Sequence, residues 1–241
     1  NVPEPYRKDA AALPVATDFT LTGATVNVPG TEKKAQVGNL TWICHNLWLQ
    51  YRFSMDESIL RNTLYPTLRR AVNFYLPFLT EDKSGKLHLK RTYSPEYGTA
   101  EDCNYDIALL RWGCNTLLEA SRILSVDDEL IPRWKQVAEY LTDYPQDENG
   151  MMIGKDVPFS RSHRHYSHLL MFYPLYLLNA EQNGSKELME KSVEHWHSLP
   201  GNILGYTYTG ASSLYAAFGE GDKALKKLNG LFADRKSTRL N

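Results

Sequence analysis

The chain has 241 residues, 27 basic and 28 acidic side chains, a formal net charge of −1, and apolar and charged fractions of 42% and 23%. That length supports one large core or two small ones. The near-neutral charge excludes a global electrostatic draw toward nucleic acid or an anionic membrane. No run approaches the roughly 20 apolar residues of a membrane span.

Three cysteines, Cys44, Cys103 and Cys114, lack metal-ligand spacing and are odd in number, which rules out a disulfide scaffold. Fifteen Tyr and five Trp suit either a large helical core or rings stacked on sugar faces.

Residues 1–38 are rich in Pro, Gly and Thr and read as an irregular N-terminal arm, with a short strand expected at FTLTGATVNV. The opening NVPEPYRKD has neither a methionine nor a signal-peptide pattern and reads as internal to a longer protein. From Gly38 the pattern becomes helical. GNLTWICHNLWLQYRF places apolar residues at 40, 43, 47 and 51. SMDESILRNTLYPTLRRAVNFYLPFL follows, with Ser54 and Asp56 as caps and Pro66 as a kink.

NYDIALLRWGCNTLLEASRIL predicts a third helix, buried at 107, 110, 114, 117 and 118. Further helices are predicted in VDDELIPRWKQVAEYLTDY, SHLLMFYPLYLLNAEQ and SKELMEKSVEHWHSL, and two about the tight turn of TGASSLYAAFGEGDKALKKLNGLF. The polar ending DRKSTRLN, residues 234–241, reads as foreign to the fold.

Four connections share a short polar turn followed by an acid: FSMDESIL, LSVDDEL, NGSKEL and FGEGDKAL. They form a repeat of helical hairpins, and rows of hairpins build an open superhelix or a closed α/α toroid. The helices fall short of the twelve that six hairpins require. The reading is therefore all-α, an incomplete (α/α)6 toroid over residues 39–233. An incomplete toroid exposes apolar edges, so poor solubility or self-association is expected.

Two loops concentrate chemistry. In RTYSPEYGTAEDCNYD, Pro95 keeps Ser94 extended, and Asp102 or Asn104 is placed to cap the next helix, with Asp106 in its first turn. Capping leaves Glu96 and its neighbours Tyr93 and Tyr97 unexplained. A carboxyl between aromatic rings loses hydration and shifts toward general-acid duty; the bland alternative is a surface turn glutamate. In KDVPFSRSHRHYSHLLMFYP, His163, Arg164, His165 and His168 open an apolar stretch. Their spacing is not His-Glu-x-x-His and no acid lies among them, so no metal is expected. A hydrogen-bonding, mildly cationic wall suited to sugar hydroxyls is. His195 and His197 flank Trp196 and read as packing residues. Sequons at Asn39 and Asn183 are frequent by chance.

Taken together, YSPEYG leading into a helix and SHRHYSHLLMFYPLY some seventy residues later resemble the catalytic domain of glycoside hydrolase family 95, whose members include α-1,2-L-fucosidases and α-L-galactosidases. The likeness runs from about residue 38 to 233. The resemblance implies an (α/α)6 toroid, an inverting mechanism and no cofactor. It implies Glu96 as general acid and His163, Arg164, His165 and His168 as substrate contacts, with Tyr93 and Tyr97 beside the acid, and an oligosaccharide or polysaccharide substrate. A periplasmic or secreted location follows only by analogy. The family's water-positioning asparagines would lie before residue 1, and LPGNILGYTYTGASS has no aspartate where the family's base belongs. Asp102 and Asp106 remain as base candidates, and the truncated chain is expected to be inactive. Two other readings stay open: a toroid lyase using a Tyr or His base on acidic polysaccharides, and a non-catalytic helical-repeat binding module.

Overall fold

The computed structural model describes residues 2–16, 20, 26–31 and 33–233. It falls into two compact units, 1–144 and 145–241. Most of the strand expected at FTLTGATVNV, and the whole 234–241 tail, lie outside the described residues.

In the first unit, a 3-10 turn at Tyr6–Asp9 precedes α1 (Asn39–Ser54). α1 stops at Met55, left-handed at φ 56°, whose N–H closes on the Tyr51 carbonyl at 2.7 Å. Its buried face matches the predicted one at Leu40 and Tyr51, but Leu47 is only half-buried and Ile43 is exposed. Leu40, Thr41, Cys44, His45, Trp48 and Tyr51 point inward, whereas Ile43 is 47% exposed and Phe53 87%. The inward set keeps the i, i+3, i+4 spacing but includes polar residues that an apolar-only pattern skips. Asp56 caps α2 (Glu57–Ile59) by accepting from the Ser58 N–H at 2.9 Å, as the sequence predicts. The chain then widens into a π turn, Leu60–Leu64, where the Tyr65 N–H reaches back five residues to the Leu60 carbonyl. That wide turn lets Pro66 sit in the first turn of α3 (Tyr65–Tyr75), where a missing N–H does no harm.

After α3 come two short antiparallel hairpins that the periodicity did not show. β1 (Leu79–Glu81) pairs with β2 (Leu87–Leu89), and β3 (Thr92–Ser94) with β4 (Gly98–Ala100). They lead into α4 (Asn104–Leu124) and α5 (Ile131–Tyr140). α4 packs against α1, α3 and α5. Of its predicted buried face, Ile107, Leu110, Cys114 and Leu117 are buried and Leu118 only half so. Beyond that stripe, every residue of Asn104 to Leu110 is buried. All three cysteines are free and buried, and burial pushes each thiol up to about 12. Asp128 accepts from the Leu130 N–H at 2.9 Å at the entry to α5, from Arg69 at 2.7 Å and from the Tyr65 hydroxyl at 2.9 Å, tying α3 to the turn before α5.

The second unit holds β5 (Gln146–Asp147), β6 (Gly150–Met151), α6 (Ser185–Ser198), α7 (Gly205–Ala217) and α8 (Gly221–Ala233). α7 and α8 form the predicted hairpin about Gly219, which has φ 77°. The helix predicted over SHLLMFYPLYLLNAEQ is absent. Only Ser167–Leu169 coils, as a 3-10 turn, and the rest runs through turns to Gly184. Pro174 offers no N–H and drives Tyr173 from helical geometry, and Tyr176 is left-handed at φ 50°. Leu169, Leu170, Met171 and Phe172 are all fully buried, so the apolar run fills a core rather than lining one helix face.

Among the described residues the fold is therefore predominantly helical, with three two-stranded hairpins. Among the described residues no helix is long and apolar enough to cross a membrane. The two sequons differ: Asn39 donates to the Pro14 carbonyl with Thr41 buried, while Asn183 is exposed in a turn.

The entry to α1 is tight. A Cβ on Gly38 would lie 2.5 Å from Tyr105 Cε1 and 2.6 Å from Leu109 Cδ1. Gly38→Ala is expected to cost about 1–3 kcal/mol by overpacking, measured by urea unfolding. A neutral result would show that α4 yields there.

Candidate active site

The β3–β4 register sets Ser94 opposite Gly98, so Pro95, Glu96 and Tyr97 close the hairpin. The Tyr97 N–H donates to the Ser94 carbonyl at 3.1 Å, and Glu96 has φ 56°. Proline in second place and a positive φ in third is the pattern of a type II turn, whose third place suits Gly or Asn. A glutamate held there costs on the order of 1–2 kcal/mol. The Glu96 side chain is exposed rather than enclosed by its tyrosines. Tyr97 is buried, and Tyr93 is half-buried with the Lys34 ammonium 4.9 Å from its ring centroid. The Tyr93 N–H donates to the Ala35 carbonyl at 3.0 Å, so β3 is also held from the arm.

Asp102 does not cap the helix entry, whereas Asp106 lies in the first turn as expected. Cys103 takes the cap position without a side-chain bond. Asp102, buried and left-handed at φ 46°, turns toward β2: its Oδ1 accepts from the Leu89 N–H at 2.8 Å and its Oδ2 meets His88 Nδ1 at 2.7 Å. His88 Nε2 lies 3.3 Å from Asp82. Burial works against the imidazolium, yet Asp102 and Asp82 together raise the His88 pKa above its usual value. Asp106 is fully buried and accepts from the Tyr75 hydroxyl at 2.8 Å. Burial, opposed by the Thr92 and Tyr75 hydroxyls, pushes its carboxyl up to about 7. Both base candidates are buried, and each is turned to a structural partner. His88 escaped notice because one histidine in KLHLK carries no motif.

In the second unit, α6 and α7 hold the histidine segment by its backbone. Trp196 Nε1 donates to the His163 carbonyl at 2.7 Å, and the Thr207 hydroxyl donates to the Arg164 carbonyl at 2.8 Å. Tyr166 lies against Gly210, where a Cβ would stand 2.3 Å from its ring. His163 and His165 meet Nε2 to Nε2 at 2.9 Å, so one nitrogen donates and the other accepts. Burial first, then the charges of His163 and Arg164, lowers the His165 pKa to about 3.

His168 is 1% exposed, stacked on Phe159 with centroids 4.3 Å apart, and burial holds its pKa well below the usual value. His195 Nε2 donates to the Phe159 carbonyl at 2.6 Å. This corrects the expectation of a cationic wall: His165 and His168 are neutral, and among the four residues the permanent charge is that of Arg164, which is exposed. His168 shapes the segment from behind. Phe159, its stacking partner, went unmarked because a lone Phe in DVPFSRS has no signature.

Two outcomes follow from this geometry. Glu96→Gly is expected to raise stability by about 1 kcal/mol through relief of the left-handed backbone; a lower urea midpoint would show that the turn is unstrained. Because the His88 pKa is raised on folding, its contribution is whole below its unfolded value and is lost as pH rises through the folded value. Urea midpoints followed from pH 5 to 9 should therefore lose this component in His88→Gln. An unchanged pH dependence would dissociate His88 from Asp102.

The chain matches the Glycosyl hydrolase family 95 catalytic domain over residues 8–241. It is 27% identical over 206 residues to Alpha-L-fucosidase 2 of Arabidopsis thaliana, covering 79% of this chain and 24% of that protein. It is 25% identical over 174 residues to Probable alpha-fucosidase A of Aspergillus niger, covering 64% of this chain and 21% of that one. The chain thus spans about a quarter of the length of these relatives. With the match extending over nearly all of its residues, the chain belongs to the glycosyl hydrolase family 95 catalytic domain family.

Proposed function

We propose that this chain carries the acid-bearing part of an exo-glycosidase that releases α-linked L-fucose, or the related L-galactose, from glycans with inversion at the anomeric carbon. Glu96 is the general acid. The observation that carries the reading is its backbone: a glutamate stands at φ 56° in a turn that glycine would close at less cost, with its carboxyl exposed. Such strain persists where the side chain is needed. Family membership and the names of both relatives support the sugar. In an inverting reaction the acid protonates the leaving oxygen while a base about 6.5–9.5 Å away activates water on the opposite face. Asp102 and Asp106 are both too enclosed for that second task.

Arg164, His163 and His165 are proposed to meet sugar hydroxyls. A neutral imidazole offers one donor and one acceptor, which matches a hydroxyl and not a carboxylate. That favours a neutral sugar over the acidic polysaccharide of a lyase. Tyr166 fits a lyase base poorly, since burial pushes its phenol far above the usual value. The family's α/α toroid is the scaffold this reading assumes, and an extracytoplasmic location would suit a glycan substrate.

Proton NMR of an α-1,2-fucosylated oligosaccharide, incubated with the full-length gene product and its Glu96→Gln variant, tests this. The β-anomer of fucose should appear first, with the variant slower by roughly 10²–10⁴-fold. Equal rates would remove Glu96 from the mechanism, and initial α-fucose would replace inversion with retention.

A further inference from the structure

The N-terminal arm and the start of α1 enclose a pocket of about 380 Å³ that the proposed mechanism leaves unused. Its volume falls within the roughly 300–1,000 Å³ of small-molecule sites. Pro14 and Gln36 line it from the arm, and Asn39, Trp42, Ile43 and Asn46 from the first turns of α1. Among the described residues, no charged side chain lines it. Asn39 is its frame. The Asn39 Oδ1 accepts from Gln36 Nε2 at 2.9 Å and from the Tyr105 hydroxyl at 3.0 Å, and its Nδ2 donates to the Pro14 carbonyl at 3.3 Å. These bonds tie arm, α1 and α4 together. Trp42 is half-buried in a T-shaped contact with Tyr105, ring centroids 5.8 Å apart. Among the described residues, the Trp42 indole N–H, the Asn46 amide and the Gln36 carbonyl oxygen have no protein partner. An indole face beside neutral amides is the chemistry that meets a sugar: ring carbons stack, and amides give and take hydrogen bonds with hydroxyls. An ion would find no counter-charge there, and a purely apolar ligand would strip the amides of water without replacing it. Val15, also in the lining, is 67% exposed and Ile43 47%, so the pocket is open to solvent. That suits a sugar within a continuing chain better than a terminal one. The arm also links the pocket to the acid. Ala35, next to Gln36, accepts from the Tyr93 N–H at 3.0 Å, and Tyr93 stands in the strand that leads to Glu96.

We propose that this pocket is a saccharide subsite, which holds a neutral sugar of the glycan on the leaving-group side of the bond whose oxygen Glu96 protonates. Trp42 supplies the stacking face, and Asn46 and Gln36 the hydroxyl contacts. Asn39 spends its amide on the frame and touches no sugar, so it is a positioning residue. The leaving-group placement rests on the Glu96 reading; the binding of sugar does not. The subsite therefore takes up the glycan that remains once the terminal sugar has left. With no charge in its lining, its affinity does not depend on salt.

Isothermal titration calorimetry of the full-length gene product with lactose, N-acetyllactosamine and cellotetraose tests the binding without turnover. At least one of these neutral sugars should bind, equally well at low and high salt. Asn46 is exposed, and Asn46→Ala should weaken that binding by about three- to tenfold. Trp42→Ala should weaken it by about tenfold or more. Should Trp42→Ala not fold, Asn46→Ala decides alone. No binding of any of the three sugars, or binding that the variants leave intact, would overturn the proposal. A segment of the full-length protein lying in the pocket would give the first of those results. Hydrolysis then separates this proposal from the reading of Glu96. Asn46→Ala should raise KM for an α-1,2-fucosylated oligosaccharide more than for an aryl α-L-fucoside, which carries no sugar on its leaving side. An equal change in both would overturn the leaving-group placement. No hydrolysis by the wild type, with sugar binding intact, would remove the fucosidase reading and leave the subsite standing.

Discussion

The first unit is organised by one requirement: the opening turns of α4, Asn104 to Leu110, are buried around their whole circumference. A helix buried all round cannot leave one side to water and has to be covered by other elements on every side. α1, α3 and α5 supply three flanks. Of the two short hairpins between α3 and α4, β3 packs against the helix. Burial on that scale also traps polar groups, and it sets what the hairpins must provide. Asp102 is held by the Leu89 amide and His88, and Asp106 by Tyr75. Glu96 stands at the tip of one such hairpin and is exposed. A strained turn is tolerable there because its two ends are fixed, by ladder pairing with β4 and by the Ala35 carbonyl.

Helices with a regular stripe were legible in the sequence. α4, α6 and the α7–α8 hairpin occur where periodicity and turn residues place them, and Asp56 caps as expected. The errors have particular causes. The inward face of α1 includes Thr41 and His45, so counting apolar residues alone rotated it. SHLLMFYPLYLL looked helical because four successive buried residues mimic helix content, whereas Pro174 decides the backbone. The small hairpins escaped because three-residue strands are shorter than any window of alternation, although EDKSGK carries the Asp and Gly of a tight turn.

Within the candidate site, motif and chemistry were legible to different depths. Pro95 before Glu96 announced a turn, but its left-handed third place needs coordinates. Acids near a helix start suggested capping; burial assigned Asp102 and Asp106 other partners. The histidines invited a cationic reading because sequence records how many imidazoles there are and not how dry they are. Burial keeps His165 and His168 uncharged, and it removes His168 from the surface altogether.

The contact between His163 and His165 has an orientational result. A single hydrogen lies on the line between the two Nε2 atoms. His165 is held neutral, chiefly by burial. Turning either imidazole alone breaks the shared contact, so the two rings keep one relative orientation.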